Sequence, residues 1–99
     1  MKEERVALIN SFEVPGGADG DFVRGWERAR DFLKTQDGCL SSQLHRSISP
    51  AADFRFVNVA LWASEEAFRL ATGKPEFRSA SVPYRFHASL YRVVEAETL

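Results

Sequence analysis

Cysteine is nearly absent. The 99-residue chain has one, Cys39, so no disulfide can form within it. That suits a reducing compartment. Cys39 sits between Gly38 and a strand-like run, with no histidine close by in sequence, and reads as a small buried thiol rather than a nucleophile. Histidine is scarce too. His45 and His87, without clustered carboxylates, are too few for a mononuclear metal centre. Each reads as a strand histidine with an ordinary hydrogen bond, and His87 is the one weighed as a general base.

No sign of charge predominates. Lys and Arg number 13, Asp and Glu 14, for a formal net charge of -1. Nucleic-acid binding calls for clustered positive charge. The nearest cluster, Arg24, Arg28 and Arg30, is interleaved with Asp21, Glu27 and Asp31, which describes a solvated helix face. Nucleic acid is therefore not expected as the main partner. No apolar run is long enough to span a membrane. Met1 to Arg5 is charged where a secretory leader would be apolar. The expected location is the cytoplasm, with no membrane partner.

What the chain has in quantity is apolar mass. Hydrophobic residues make up 44% and aromatic residues 12%, with eight Phe and two Trp. A single domain over residues 1–99 is expected, and for that size the load is generous. It points to an internal ligand pocket, an oligomer interface, or both.

The pattern of elements is readable. Arg5 to Val14 alternates as a strand, with Val6, Leu8, Asn10, Phe12 and Val14 on one face. Pro15-Gly16-Gly17 ends it. Asp19 or Asp21 is placed to cap a helix running to about Gln36, with Phe22, Trp26, Ala29, Phe32 and Leu33 on its buried stripe. Gly38 suits a left-handed stop. Strands are expected from about Leu40 to Ile48 and from Phe54 to Trp62, joined by the turn Ser49-Pro50-Ala51-Ala52. Ser64 caps a second helix with Glu65 and Glu66 in its first turn. Gly73 closes it, Pro75 to Ala80 adds a turn, and a fourth strand follows from about Phe86 to Glu95.

The order βαββαβ predicts an α+β, ferredoxin-like fold. Its four-stranded antiparallel sheet has the order fourth, first, third, second, with the helices on one face. The third strand is apolar on both sides. Phe54, Phe56, Ala60 and Trp62 lie on one, and Val57, Val59 and Leu61 on the other. Helices cover only one face, so a second copy of the same sheet is the simplest cover for the other, and a homodimer is expected.

Two asparagines break the apolar pattern. Asn10 lies among Val6, Leu8, Phe12 and Val14, and Asn58 among Phe54, Phe56, Ala60 and Trp62. Asparagine is a poor strand former, and a buried amide without partners costs on the order of a few kcal/mol. Either carboxamide alone would read as a tie for a loop or strand end. A pair on neighbouring strands, with the Trp62 indole on the same face, reads as the polar floor of a ligand pocket.

These residues carry a resemblance. Phe56-Val57-Asn58-Val59-Ala60-Leu61-Trp62 followed by Ser64-Glu65-Glu66-Ala67-Phe68-Arg69 resembles the signature of the antibiotic biosynthesis monooxygenase family. Ile9-Asn10-Ser11-Phe12-Glu13-Val14 is similar to that family's first strand, and Asp31-Phe32-Leu33, Gly38 and Leu44-His45-Arg46 to its helix-to-strand passage. The likeness covers nearly the whole chain.

It implies a dimeric α+β barrel acting on a flat aromatic of anthrone or quinol type with molecular oxygen and no cofactor. It also implies Asn10, Asn58 and Trp62 as the catalytic set. Asn10 and Trp62 would act as hydrogen-bond donors, and Asn58 as a second donor or the holder of a water. Phe22, Trp26, Phe68 and Phe77 would form the walls of the substrate site. Haem-degrading members need a histidine on the second helix, and Phe68 to Gly73 has none. Phe68 also stands where some anthrone oxygenases carry a tyrosine. A non-oxidative polyketide cyclase and a non-catalytic, stress-associated binding dimer share the same architecture.

Overall fold

The computed structural model describes residues 4–80 and 82–98. Strand β1 (Val6–Phe12) leads into helix α1 (Asp19–Leu33) and strand β2 (Cys39–Arg46). Strand β3 (Phe56–Trp62), helix α2 (Glu65–Thr72), the short helix α3 (Pro75–Ser79) and strand β4 (Phe86–Tyr91) complete it. The strands form one antiparallel sheet in the order β2-β3-β1-β4, a ferredoxin-like arrangement with the predicted order. Among the described residues no helix is long and apolar enough to cross a membrane.

Alternation decides the two faces of the sheet. Val6, Leu8 and Phe12 of β1 and Phe56, Asn58, Ala60 and Trp62 of β3 are buried beneath the helices. Ala7, Ile9, Val57, Val59 and Leu61 point the other way and are half-buried. The covered face carries two packed groups. Val6, Leu8, Ala60, Trp62 and Ala71 form one, and Phe12, Phe22 and Phe56 the other. Asn10 and Asn58 are opposite one another in the β1–β3 register, in the gap between the two groups.

The helix ends follow from their side chains, with one exception. The Ser64 hydroxyl accepts the Ala67 N–H at 3.1 Å, an N-cap as predicted. Pro75 opens α3 at its first turn, where its missing N–H costs no hydrogen bond. The exception is α1. Ala18 holds the cap position with no side-chain bond, and Asp19 and Asp21 lie inside the first turn. Both carboxylates are drawn away by partners distant in sequence. Asp19 accepts from Arg55 Nη2 at 2.6 Å, and Asp21 from the Tyr84 hydroxyl at 2.6 Å.

Some boundaries also move inward. Helix α1 ends at Leu33 rather than Gln36, and the chain descends through turns closed by Thr35 N–H to Phe32 O and Gln36 N–H to Leu33 O. Gly38, at φ +89°, makes the turn into β2, and a Cβ there would stand 2.5 Å from the Ala67 Cβ. Both the left-handed backbone and the contact with α2 require glycine. Strand β4 stops at Tyr91 instead of Glu95. The third strand begins at Phe56, and Phe54 leaves the predicted face, its ring lying 5.2 Å from that of His87.

Candidate functional site

Between the sheet and the helices lies a cavity of about 340 Å³, large enough for a small aromatic molecule. Its floor is the central pair of strands. Asn10, Asn58 and Trp62 all line it, brought together by the antiparallel pairing of β1 with β3. Trp26 of α1, Phe68 of α2 and Phe77 of α3 form apolar walls. The Phe68 ring meets Trp62 edge-on at 5.6 Å.

Phe22 is the exception among the expected walls. It is wholly buried, stacked on Phe56 at 4.5 Å and edge-on to Phe12 at 4.8 Å, and it does not border the cavity. It lies one helical turn before Trp26, where α1 faces the second apolar group, so it serves the core.

The polar atoms of the floor are unevenly satisfied. The Ser42 hydroxyl donates to Asn58 Oδ1 at 3.0 Å, which leaves the Asn58 amide N–H groups as its free donors. Asn10 Oδ1 and Trp62 Nε1 are buried and without a hydrogen-bond partner among the described residues. Trp62 has no solvent exposure. One orphan is an acceptor and the other a donor, and no bond engages the Asn10 amide N–H groups among the described residues. Unpaired buried polar groups are rare, because each forfeits its hydration.

Ser42 is a residue of the cavity lining that the sequence did not disclose. A bulge between Cys39 and Ser41 shifts the β2 register against β3, so Cys39 faces Trp62 and Ser42 faces Ala60. Both therefore turn toward the helices although they are three positions apart. Cys39 lines the cavity, and burial pushes its thiol pKa up. It is held as the neutral thiol, a weak nucleophile.

The histidines lie elsewhere. His87 is paired with Ser11 in the β1–β4 register, on the open face of the sheet. It makes a 2.7 Å hydrogen bond to Glu13, and that bond holds the Glu13 carboxyl below its usual range. His87 is thus not placed to serve as base in the cavity. His45 lies on the same open face and approaches Val57 O at 3.3 Å. Among the described residues no group of three metal-ligating side chains is assembled.

The architecture and site define a class: a small ferredoxin-like domain whose central strands hold an amide pair and an indole beneath an aromatic-walled cavity. The model of the antibiotic biosynthesis monooxygenase family matches residues 5–81, and the chain belongs to that family. It is 32% identical over 74 residues to deoxynogalonate monooxygenase of Streptomyces nogalater. That stretch is 75% of this chain, which spans about 60% of the relative's length. A candidate monooxygenase from Shewanella loihica superposes with a TM-score of 0.86 at 36% identity, over 97% of this chain and 100% of the other. SnoaB, a cofactor-independent oxygenase from Streptomyces nogalater, does so with a TM-score of 0.80 at 27% identity, over 94% and 96%.

Proposed function

We propose that the chain is a cofactor-independent monooxygenase that oxidises a flat aromatic of anthrone or quinol type with molecular oxygen, in the cytoplasm and as a homodimer. The observation that carries this reading is the polar set Asn10, Asn58 and Trp62 lining an aromatic-walled cavity, with Asn10 Oδ1 and Trp62 Nε1 unpaired among the described residues. Similarity to SnoaB, itself a cofactor-independent oxygenase, supports it.

An anthrone is a carbon acid. Loss of a methylene proton gives an enolate delocalised over three rings. In this reading Trp62 Nε1–H donates to the oxygen that takes up this charge, with the Asn58 amide as second donor. Preorganised donors in a water-poor cavity stabilise developing charge without reorganising. Asn10 Oδ1 accepts from a ring hydroxyl and fixes the orientation of the ring. The enolate passes one electron to oxygen, the resulting radical pair joins as a peroxide, and loss of water leaves the new carbonyl. One oxygen atom ends in the product and the other in water. Among the described residues no strong base lines the cavity, so the acidity of the substrate carries much of the deprotonation.

The open face of the sheet supports the dimer. Ala7, Ile9, Val57, Val59 and Leu61 form an apolar band there, and Tyr91, Val93 and Val94 are exposed beyond it. A second sheet laid on this band would remove it from water.

The test is turnover of a simple tricyclic anthrone by the metal-free protein, in air and under nitrogen. Quinone formation above the spontaneous rate, in air alone, is expected. Product formed equally under nitrogen would indicate non-oxidative chemistry and overturn the reading.

A further inference from the structure

Strand β2 carries one residue more than its pairing with β3 uses. The register shifts between Cys39 and Ser41, so that Cys39 faces Trp62, Ser42 faces Ala60 and Leu44 faces Asn58. Strict alternation from Cys39 would instead send Ser41 and Gln43 to the helix side and Ser42 to the open face. Bulges re-aim side chains in this way beside binding sites. This one turns two residues inward. Leu44 packs against the group formed by Phe12, Phe22 and Phe56. Ser42 borders the cavity, and its hydroxyl donates to Asn58 Oδ1 at 3.0 Å.

We infer that Ser42 is a positioning residue: its hydroxyl holds the Asn58 carboxamide with the oxygen toward β2 and the N–H groups toward the cavity. This rests on the reading of Asn58 as a donor to the substrate oxygen. The two ends of a primary amide have nearly the same shape, so packing alone does not choose between them, and neighbouring polar groups must. Leu44, opposite Asn58 on β2, has no polar side-chain atom. Asn10, opposite on β1, holds no end of the amide, because its Oδ1 bonds no described residue. Ser42 is the described side chain that does. A turned amide could still donate to the Ser42 hydroxyl. It would then bring a second oxygen to the floor where Asn10 Oδ1 is already unpaired, and would face a developing oxyanion with a like partial charge. Asn58 is only 8% exposed, so water is poorly placed to replace the hydroxyl.

The experiment is a double-mutant cycle on turnover of a simple tricyclic anthrone in air, with ¹⁵N spectra of the ligand-free proteins beside it. Ser42→Ala is expected to lower kcat about tenfold with little change in KM. Ser42→Thr, which keeps the hydroxyl, is expected to restore it. In an Asn58→Ala background Ser42→Ala should cause no further loss, because Ser42 acts through that amide. The Asn58 side-chain N–H resonances should move in Ser42→Ala and return in Ser42→Thr. Equal kcat in the wild type and Ser42→Ala would overturn the positioning role and leave the oxygenase reading standing. So would the same fold-loss from Ser42→Ala with and without Asn58. A wild type that turns over no anthrone would overturn the oxygenase reading, and the role of Asn58 as donor with it. Asn58 resonances unmoved in Ser42→Ala would overturn the positioning role whatever the turnover.

Discussion

Asn10 and Asn58 stand opposite each other on the two central strands, but their carboxamides are treated differently. The oxygen of Asn58 is held by Ser42 at 3.0 Å, and the oxygen of Asn10 is buried with no partner among the described residues. A pair placed for stability would be satisfied on both sides. The asymmetry supports a functional role for Asn10, at some cost to the fold.

Replacing Asn10 is therefore expected to separate stability from function. Asn10→Leu removes an unpaired acceptor and adds apolar volume between Leu8 and Phe12. Urea unfolding should show the variant as stable as the wild type or more so, by about 1 kcal/mol. Its turnover of an anthrone should fall sharply. A loss of several kcal/mol would mean that Asn10 is structural.

Trp62→Phe keeps most of the ring and deletes an N–H that no described residue bonds. The loss of volume should lower stability by about 1–2 kcal/mol. Removing a donor to developing negative charge should lower kcat by about a hundredfold. The two effects are read independently, by denaturation and by steady-state kinetics.

Phe22 and Trp26 lie one turn apart on α1 and are expected to differ in kind. Phe22→Ala empties the centre of a stacked aromatic group and should cost about 3–5 kcal/mol. Trp26→Ala removes a cavity wall and should weaken ligand binding more than folding. Gly38→Ala should cost about 1–3 kcal/mol, from a left-handed backbone and a Cβ crowding Ala67.

Acid sensitivity follows from Asp19. Its hydrogen bond to Arg55 holds the carboxyl below the usual carboxylate range. A lowered folded pKa gives stability that is fully present above the unfolded value. That stability is lost as pH falls from the unfolded value through the folded one. Asp19→Asn should accordingly lower the urea midpoint at neutral pH and flatten its decline below about pH 4.

Much of the fold was legible because its signals are local. Alternation in Val6 to Phe12 and Phe56 to Trp62 assigned each strand its faces. Ser64 with Glu65 and Glu66 marked the start of α2, and Gly38 a left-handed position, which the structure uses for the turn into β2 rather than for the helix stop. What was not legible depends on contacts distant in sequence. Asp19 looks like a cap until Arg55, 36 positions on, claims it. Phe22 and Trp26 share one helical stripe, and only packing assigns one to the core and the other to the cavity. Ser42 reaches Asn58 through a bulge in β2 that no periodicity announces.

The proposed dimer rests on the open face of the sheet. Val59 lies at the middle of its apolar band, opposite Ile9. Sedimentation equilibrium at micromolar concentration should give a dimer for the wild type and a monomer for Val59→Lys. A monomeric wild type would contradict the proposal.

Isotopic oxygen provides the most direct test of the monooxygenase reading. The metal-free protein would be given a tricyclic anthrone under ¹⁸O₂, and the quinone analysed by mass spectrometry. One ¹⁸O atom per product molecule is expected, with Trp62→Phe forming the same product far more slowly. Product without ¹⁸O, or identical rates in the two proteins, would contradict it.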